Sequence, residues 1–295
     1  MTIGSLMQGG FRLIKERPGA MLIWTLVQLA AAIGASFWMM AIIQGNIDAL
    51  LRGASLQSVQ TSSTLQSLLV SLAGLIVSTI IYAAVQRAII HPTEGGPGWL
   101  KLGMDEVRLF LLLLFYLIVF VVGSAVVTFF LGAFVASTGP DSMWPVAIIL
   151  LALAFLAGSY FGTKLSLTFP LTLKKRAFAI GEGWNLTNGR FWVLYGAYLI
   201  VFLGLLAVGI ATALVIRPEY FSALLEYGPN SPEAQQASLL EYQELMDGDI
   251  GARTIIGWTV TAVQGAIGYA LFGGAAATAV QELTADEEGL SDTFS

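Results

Sequence analysis

The chain has no cysteine and a single histidine, His91. Disulfides, thiolate metal sites and thiol nucleophiles are therefore excluded, and so is a multi-histidine metal centre or a catalytic histidine pair within one chain. Charge is scarce as well. Only 11% of the 295 residues are ionised, against about a quarter in soluble domains. The few glycine clusters carry no phosphate-loop signature: Gly95, Gly96, Pro97 and Gly98 precede Trp99 without the strand such a loop requires, and read as a turn. No cofactor and no metal is expected. The net charge of −5 argues against a nucleic-acid partner.

What the chain has instead is apolar length. Hydrophobic residues make up 56% of it, and Met21 to Ile43 is a run of 23 residues without an ionised side chain. At about 1.5 Å per residue, such a run exceeds the roughly 30 Å hydrocarbon core of a bilayer. Further spans are expected at Leu65 to Ile90, Leu109 to Phe134, Pro145 to Phe161, Phe191 to Ile216 and Thr254 to Val280. The runs are continuous, not alternating, which predicts helices and excludes a barrel. The expected fold is all-α: a polytopic membrane protein with six transmembrane helices over residues 1–282, followed by an acidic tail, 283–295. The basic segment before the first span is read as leading into a retained helix and not a cleaved signal.

Placing the fourteen Lys and Arg residues by loop predicts the sidedness. Eleven of them, in the segments before span one, between spans two and three, and between spans four and five, share one side. Arg52, Arg217 and Arg253 fall on the other. Both termini are accordingly expected in the cytoplasm. Trp24, Trp192, Trp144 and Trp258 are expected near the span ends, at headgroup level.

The six spans read as one unit used three times, about 1–92, 93–170 and 171–282, each an interfacial amphipathic segment followed by a hairpin. Arg108 and Arg190 lie 82 positions apart, and so do two copies of YLIVF, Tyr116 to Phe120 and Tyr198 to Phe202. Tyr82 and Pro92 recur 78 residues later as Tyr160 and Pro170. Setting Arg17, Arg108 and Arg190 in register aligns Phe11, Leu102 and Trp184 as apolar anchors. In the first segment Ile3, Met7, Phe11 and Ile14 follow helical spacing.

Two residue sets are candidate sites. Arg17, Arg108, Lys174, Lys175, Arg176 and Arg190 would sit beside anionic headgroups, where each contributes about 1 kcal/mol to lipid attraction; setting topology is the simpler account of the same residues. Gln28, Gln86 and Gln264 are intramembrane polar candidates, for a cavity lining or for hydrogen bonds between helices. Arg87 and Lys164 are read as snorkelling to the headgroups. Ala266, Ala270, Gly274 and Thr278 form a small-residue stripe expected to pack within the bundle. A short surface helix is expected at Ala234 to Met246.

The segments Phe11 to Pro18 (FRLIKERP), Leu102 to Phe110 (LGMDEVRLF) and Trp184 to Trp192 (WNLTNGRFW) resemble bacterial six-span proteins of the glycerophosphoryl diester phosphodiesterase membrane-domain type and related uncharacterised families. The resemblance implies a bacterial inner-membrane location and a scaffold, interaction or lipid-related role. It does not bring the phosphodiesterase chemistry, because His91 stands alone where that activity needs acid/base histidines and metal-binding carboxylates. The expected function is therefore a non-enzymatic membrane-organising, scaffold or complex-subunit role, with membrane lipids, a protein partner or a second copy of the chain as partners. The alternatives are a transporter or channel for a lipid or small neutral solute, and an inner-face lipid enzyme using Asp105, Glu106 or Glu182.

Overall fold

A computed structural model describes residues 1–138, 143–216, 218–228, 231–233, 236 and 250–294. The predicted surface helix at Ala234 to Met246 lies, but for residue 236, outside the described residues. Ten α-helices are described: α1 (Ile3–Glu16), α2 (Pro18–Leu51), α3 (Leu56–Ile90), α4 (Met104–Thr138), α5 (Met143–Leu165), α6 (Thr168–Lys175), α7 (Ile180–Leu186), α8 (Phe191–Ile216), α9 (Pro218–Tyr227) and α10 (Ala252–Phe294), with a 3₁₀ turn at Pro97–Trp99. No strand occurs among the described residues. Five helical stretches are long and apolar enough to cross a membrane: Pro18–Leu51, Gln57–Ile90, Pro97–Phe134, Phe191–Ile216 and Ala252–Ala285. The chain is thus of the α-helical membrane-protein type. The remaining expected span, Pro145 to Phe161, falls within α5, which is not among these five. α10 continues through the acidic segment that the sequence suggested as a tail, as far as Phe294.

The chain divides into two compact bodies, Met1–Glu16 with Thr79–Leu199 and Ala270–Ser295, and Arg17–Ser78 with Ile200–Tyr269. The first has a core in which Leu6 of α1, Leu167 and Leu171 around α6, Leu194 and Ala197 of α8, and Ala275, Ala276, Ala279 and Val280 of α10 are almost completely enclosed. Alanines on successive positions of α10 are buried, and at Gly274 the backbone of α1 comes close.

α1 is held by glycine. Its buried face is Leu6, Gly9, Gly10 and Leu13, whereas Phe11, on the stripe suggested by apolar spacing, is exposed. A Cβ at Gly274 would stand 2.6 Å from Gly10 Cα, and one at Gly10 would stand 2.7 Å from both the Ala270 carbonyl oxygen and Leu271 Cα. The two helices therefore meet backbone to backbone, and Ala270, Gly274 and Thr278 of the small-residue stripe have α1 as their partner. The apolar pattern missed this face because glycine adds no hydrophobic signal yet alone permits such an approach.

In the second body, Gln264 donates to the Leu205 carbonyl oxygen at 2.7 Å, and its side chain lies against Gly209, so it joins α10 to α8 as an interhelical hydrogen bond. Gln28 lies against Gly265. Trp258 packs with Phe37, ring centroids 6.4 Å apart. Trp24 is fully buried, so it serves the core and not an interfacial belt; Trp192, by contrast, is 77% exposed.

Gly10→Ala or Gly274→Ala should therefore destabilise the protein by about 1–3 kcal/mol, as overpacking does. Gly19→Ala, where a Cβ would meet nothing within 4 Å, should leave stability unchanged or slightly raised. Unfolding midpoints of the three variants in one detergent provide the check.

Candidate functional site

The polar groups of the first body gather where α3 and α5 end and the following segments begin. Arg87, in the last turn of α3, is 1% exposed and does not reach outward as snorkelling would require. Its guanidinium donates through Nη1 to the Trp99 carbonyl oxygen at 2.7 Å and through Nη2 to the Glu106 carboxylate, with which it forms an ion pair. Glu106 Oε2 accepts a further bond from the Gly103 amide at 3.0 Å, which also caps the first turn of α4. The turn between is tight: Gly98 and Trp99 both take positive φ, 61° and 54°. Glycine adopts this conformation freely, while a tryptophan there is strained and needs surrounding contacts to hold it.

A second cation is enclosed at the end of α5. Lys164 donates to Asn188 Oδ1 at 2.6 Å and lies over the Trp184 ring, 5.4 Å from its centroid. Trp184 also packs against Tyr160 and Phe161. Both cations thus end a long helix and are received by the segment that follows, Arg87 by a carboxylate and Lys164 by an amide and an indole face. Both are satisfied by bonds that compensate for lost hydration.

A third set of contacts is more exposed. Glu94 pairs with Arg176 at 2.6 Å and Lys101 at 3.5 Å, and His91 Nδ1 lies 3.9 Å away. Partial burial pushes the Glu94 carboxyl up, but Arg176, His91 and Lys101 outweigh it and hold it below its ordinary value of 4.5. Arg176 closes α6 in the left-handed conformation, φ 53°.

The six predicted headgroup cations prove to be differently engaged. Arg108 pairs with Asp105 at 2.8 Å, Lys174 donates to Thr284 at 2.8 Å, Lys175 pairs with Glu182, and Arg176 with Glu94. Arg17 and Arg190 are exposed. Asp105, Glu106 and Glu182 are each taken up by a different cation and do not converge on one point. Of the glutamines, Gln28 and Gln264 belong to the second body and Gln86 to the first, where it is fully enclosed. No group of acids and histidine capable of holding a metal occurs among the described residues. Sequence reasoning missed Trp99, Asn188 and Trp184 as receivers of the two cations. The cue available to it was an arginine and a lysine at helix ends, followed some twenty residues later by a polar residue in an amphipathic segment.

No protein-family model, curated protein or solved structure matches the chain.

Replacing Arg87 by Met should cost about 3–5 kcal/mol, because Glu106 would be left buried and unpaired, and Arg87→Met with Glu106→Leu should recover most of that loss. Denaturant unfolding of the single and double variants measures the coupling. The Glu94 cluster sets a pH dependence. Its folded pKa is depressed, so its contribution is present above the ordinary carboxyl value and is lost as pH falls through the lower folded value. The stability gap between wild type and Glu94→Gln, followed by thermal unfolding, should therefore persist at neutral pH and close below pH 4.5.

Proposed function

We propose that this chain is a non-enzymatic integral protein of the bacterial cytoplasmic membrane that binds anionic lipid along one face and organises the membrane, or a partner, around it. Six spans in three repeated units, with both termini on the cytoplasmic side, make up the architecture of this reading. The observation that carries it is the pairing of exposed large apolar side chains with exposed cations in the segments between spans. Phe11, 52% exposed, accompanies Lys15 and Arg17. Leu102, 84% exposed, follows Lys101, and Phe178 and Trp192 accompany Arg176 and Arg190. Apolar groups entering the acyl boundary beside cations at headgroup level are what an anionic membrane surface attracts.

The repeat is supported by an echo in the cation sites. Glu106 and Asn188, which receive Arg87 and Lys164, stand 82 positions apart, the same offset as Arg108 and Arg190. Kinship with the membrane-domain family named above belongs to this proposal, and rests on the three motif segments. A pathway for a lipid or small neutral solute is a second reading, favoured by the buried Gln28 amide nitrogen, which has no hydrogen-bond partner. Solute flux in reconstituted vesicles that Gln28→Leu abolished would replace the first reading with the second.

Protein extracted in polymer discs should carry phosphatidylglycerol and cardiolipin well above their share of the source membrane. The variant Lys15→Gln, Arg17→Gln, Arg190→Gln should lose that preference by roughly a hundredfold in relative affinity, at about 1 kcal/mol per cation. A wild-type lipid profile equal to that of the bulk membrane would reject the proposal.

A further inference from the structure

The ion cluster around Glu94 is wider than the carboxylate it holds. Three basic side chains from three segments converge on that one group: His91 just past α3, Lys101 after the 3₁₀ turn and Arg176 at the end of α6. Only Arg176 makes a close contact, Nη2 donating to Oε1 at 2.6 Å. Lys101 Nζ stands 3.5 Å from Oε2 and His91 Nδ1 3.9 Å from Oε1, whereas charge-assisted bonds settle at about 2.7–2.9 Å. Two coplanar oxygens do not draw in all three donors.

The charge is unbalanced as well. Lys101 and Arg176 are two cations against one carboxylate before His91 is counted, and solvent reaches all four side chains. The neighbouring lysines of α6 have other partners, Lys174 at Thr284 and Lys175 at Glu182, so Arg176 is the α6 cation given to this cluster. It takes a left-handed φ of 53° at a helix end, a position that glycine or asparagine ordinarily fills. Glycine would suit the backbone there, but it could not supply the guanidinium that reaches Glu94.

We propose that His91, Lys101 and Arg176 form a phosphate-binding site in which the Glu94 carboxylate stands in for the ligand. A phosphate presents oxygens in several directions and so meets donors placed around it, and guanidinium and ammonium groups are its usual partners. It enters by displacing the Glu94 carboxylate into solvent, so Glu94 masks the site until a stronger anion arrives. The phosphate belongs either to a lipid headgroup or to a free phosphate. Leu102 beside Lys101 and Phe178 beside Arg176 are exposed apolar side chains, which suit the acyl boundary under a headgroup. For the lipid source the inference rests on the anionic-lipid reading above; the site itself does not.

The test titrates the full-length protein in detergent with two probes, dioctanoyl phosphatidylglycerol read by native mass spectrometry and inorganic phosphate read by calorimetry. Glu94→Gln should tighten binding about tenfold, because the ligand no longer competes with two exposed ion pairs. Glu182→Gln removes the same charge from a pair with one lysine and should change little. Adding Lys101→Gln and Arg176→Gln to Glu94→Gln should abolish the gain. A gain for phosphatidylglycerol and not for inorganic phosphate assigns the site to a lipid headgroup; a gain for inorganic phosphate at least as large assigns it to free phosphate. If Glu94→Gln binds neither probe more tightly than wild type, or Glu182→Gln gains as much, or the gain survives the loss of Lys101 and Arg176, the site is overturned even where wild type prefers anionic lipid. Wild type without that preference, together with a Glu94→Gln gain for inorganic phosphate, would reject the lipid reading and uphold the site.

Discussion

Arg87 cannot be buried alone. A guanidinium taken out of water at the end of α3 needs both a counter-charge and hydrogen-bond acceptors, and the chain supplies Glu106 and the Trp99 carbonyl oxygen. That demand shapes everything between them. Gly98 and Trp99 must turn in the left-handed region to present the carbonyl, and Gly103 must place its amide on Glu106, which starts α4 in a set direction. Lys164 imposes a similar but softer constraint on α7 and the turn that follows it, through Trp184 and Asn188. At the far end of the chain no charge is involved. There α10 receives α1 through Gly9, Gly10 and Gly274, at distances no side chain would allow.

Two kinds of joint, ionic and glycine-mediated, thus fasten the amphipathic segments to the long helices. This has a consequence for the proposed lipid-binding face. A segment held by its buried side leaves its other side free of structural duty, and the exposed side chains there, Phe11, Leu102 and Trp192, are large and apolar. Several cations of that face are held by carboxylates of the same layer, as Arg176 is by Glu94 and Lys175 by Glu182. The net attraction to an anionic surface therefore falls chiefly to exposed residues such as Lys15 and Arg190.

How much of this was legible depended on which physical signal carried it. Helices such as α2 and α8 were readable because continuous apolar runs of membrane length admit few alternatives. Gln264 was readable as an interhelical bond for a similar reason, since a lone amide in an apolar helix seeks a carbonyl. The docking face of α1 was not, because its decisive residues are glycines and the apolar stripe beside them points elsewhere. Arg87 and Trp24 were misjudged on the same ground. Each is of a type that favours a membrane interface, and each is buried by contacts that depend on the fold as a whole. Glu106 and Asn188, which receive Arg87 and Lys164, lie about twenty residues downstream, across turns whose geometry composition does not specify.

The proposed function stands on the segments 1–17, 91–108 and 174–192 facing the cytoplasm together. The chain's lack of cysteine makes a direct measurement of that arrangement simple. Single cysteines placed at Lys15, Lys101 and Arg190, and on the opposite side at Glu226, would be probed with a membrane-impermeant thiol reagent in spheroplasts and in inverted vesicles. The account predicts that the first three react only in inverted vesicles and Glu226→Cys only in spheroplasts. Labelling of Lys15→Cys, Lys101→Cys or Arg190→Cys from the outside would contradict it.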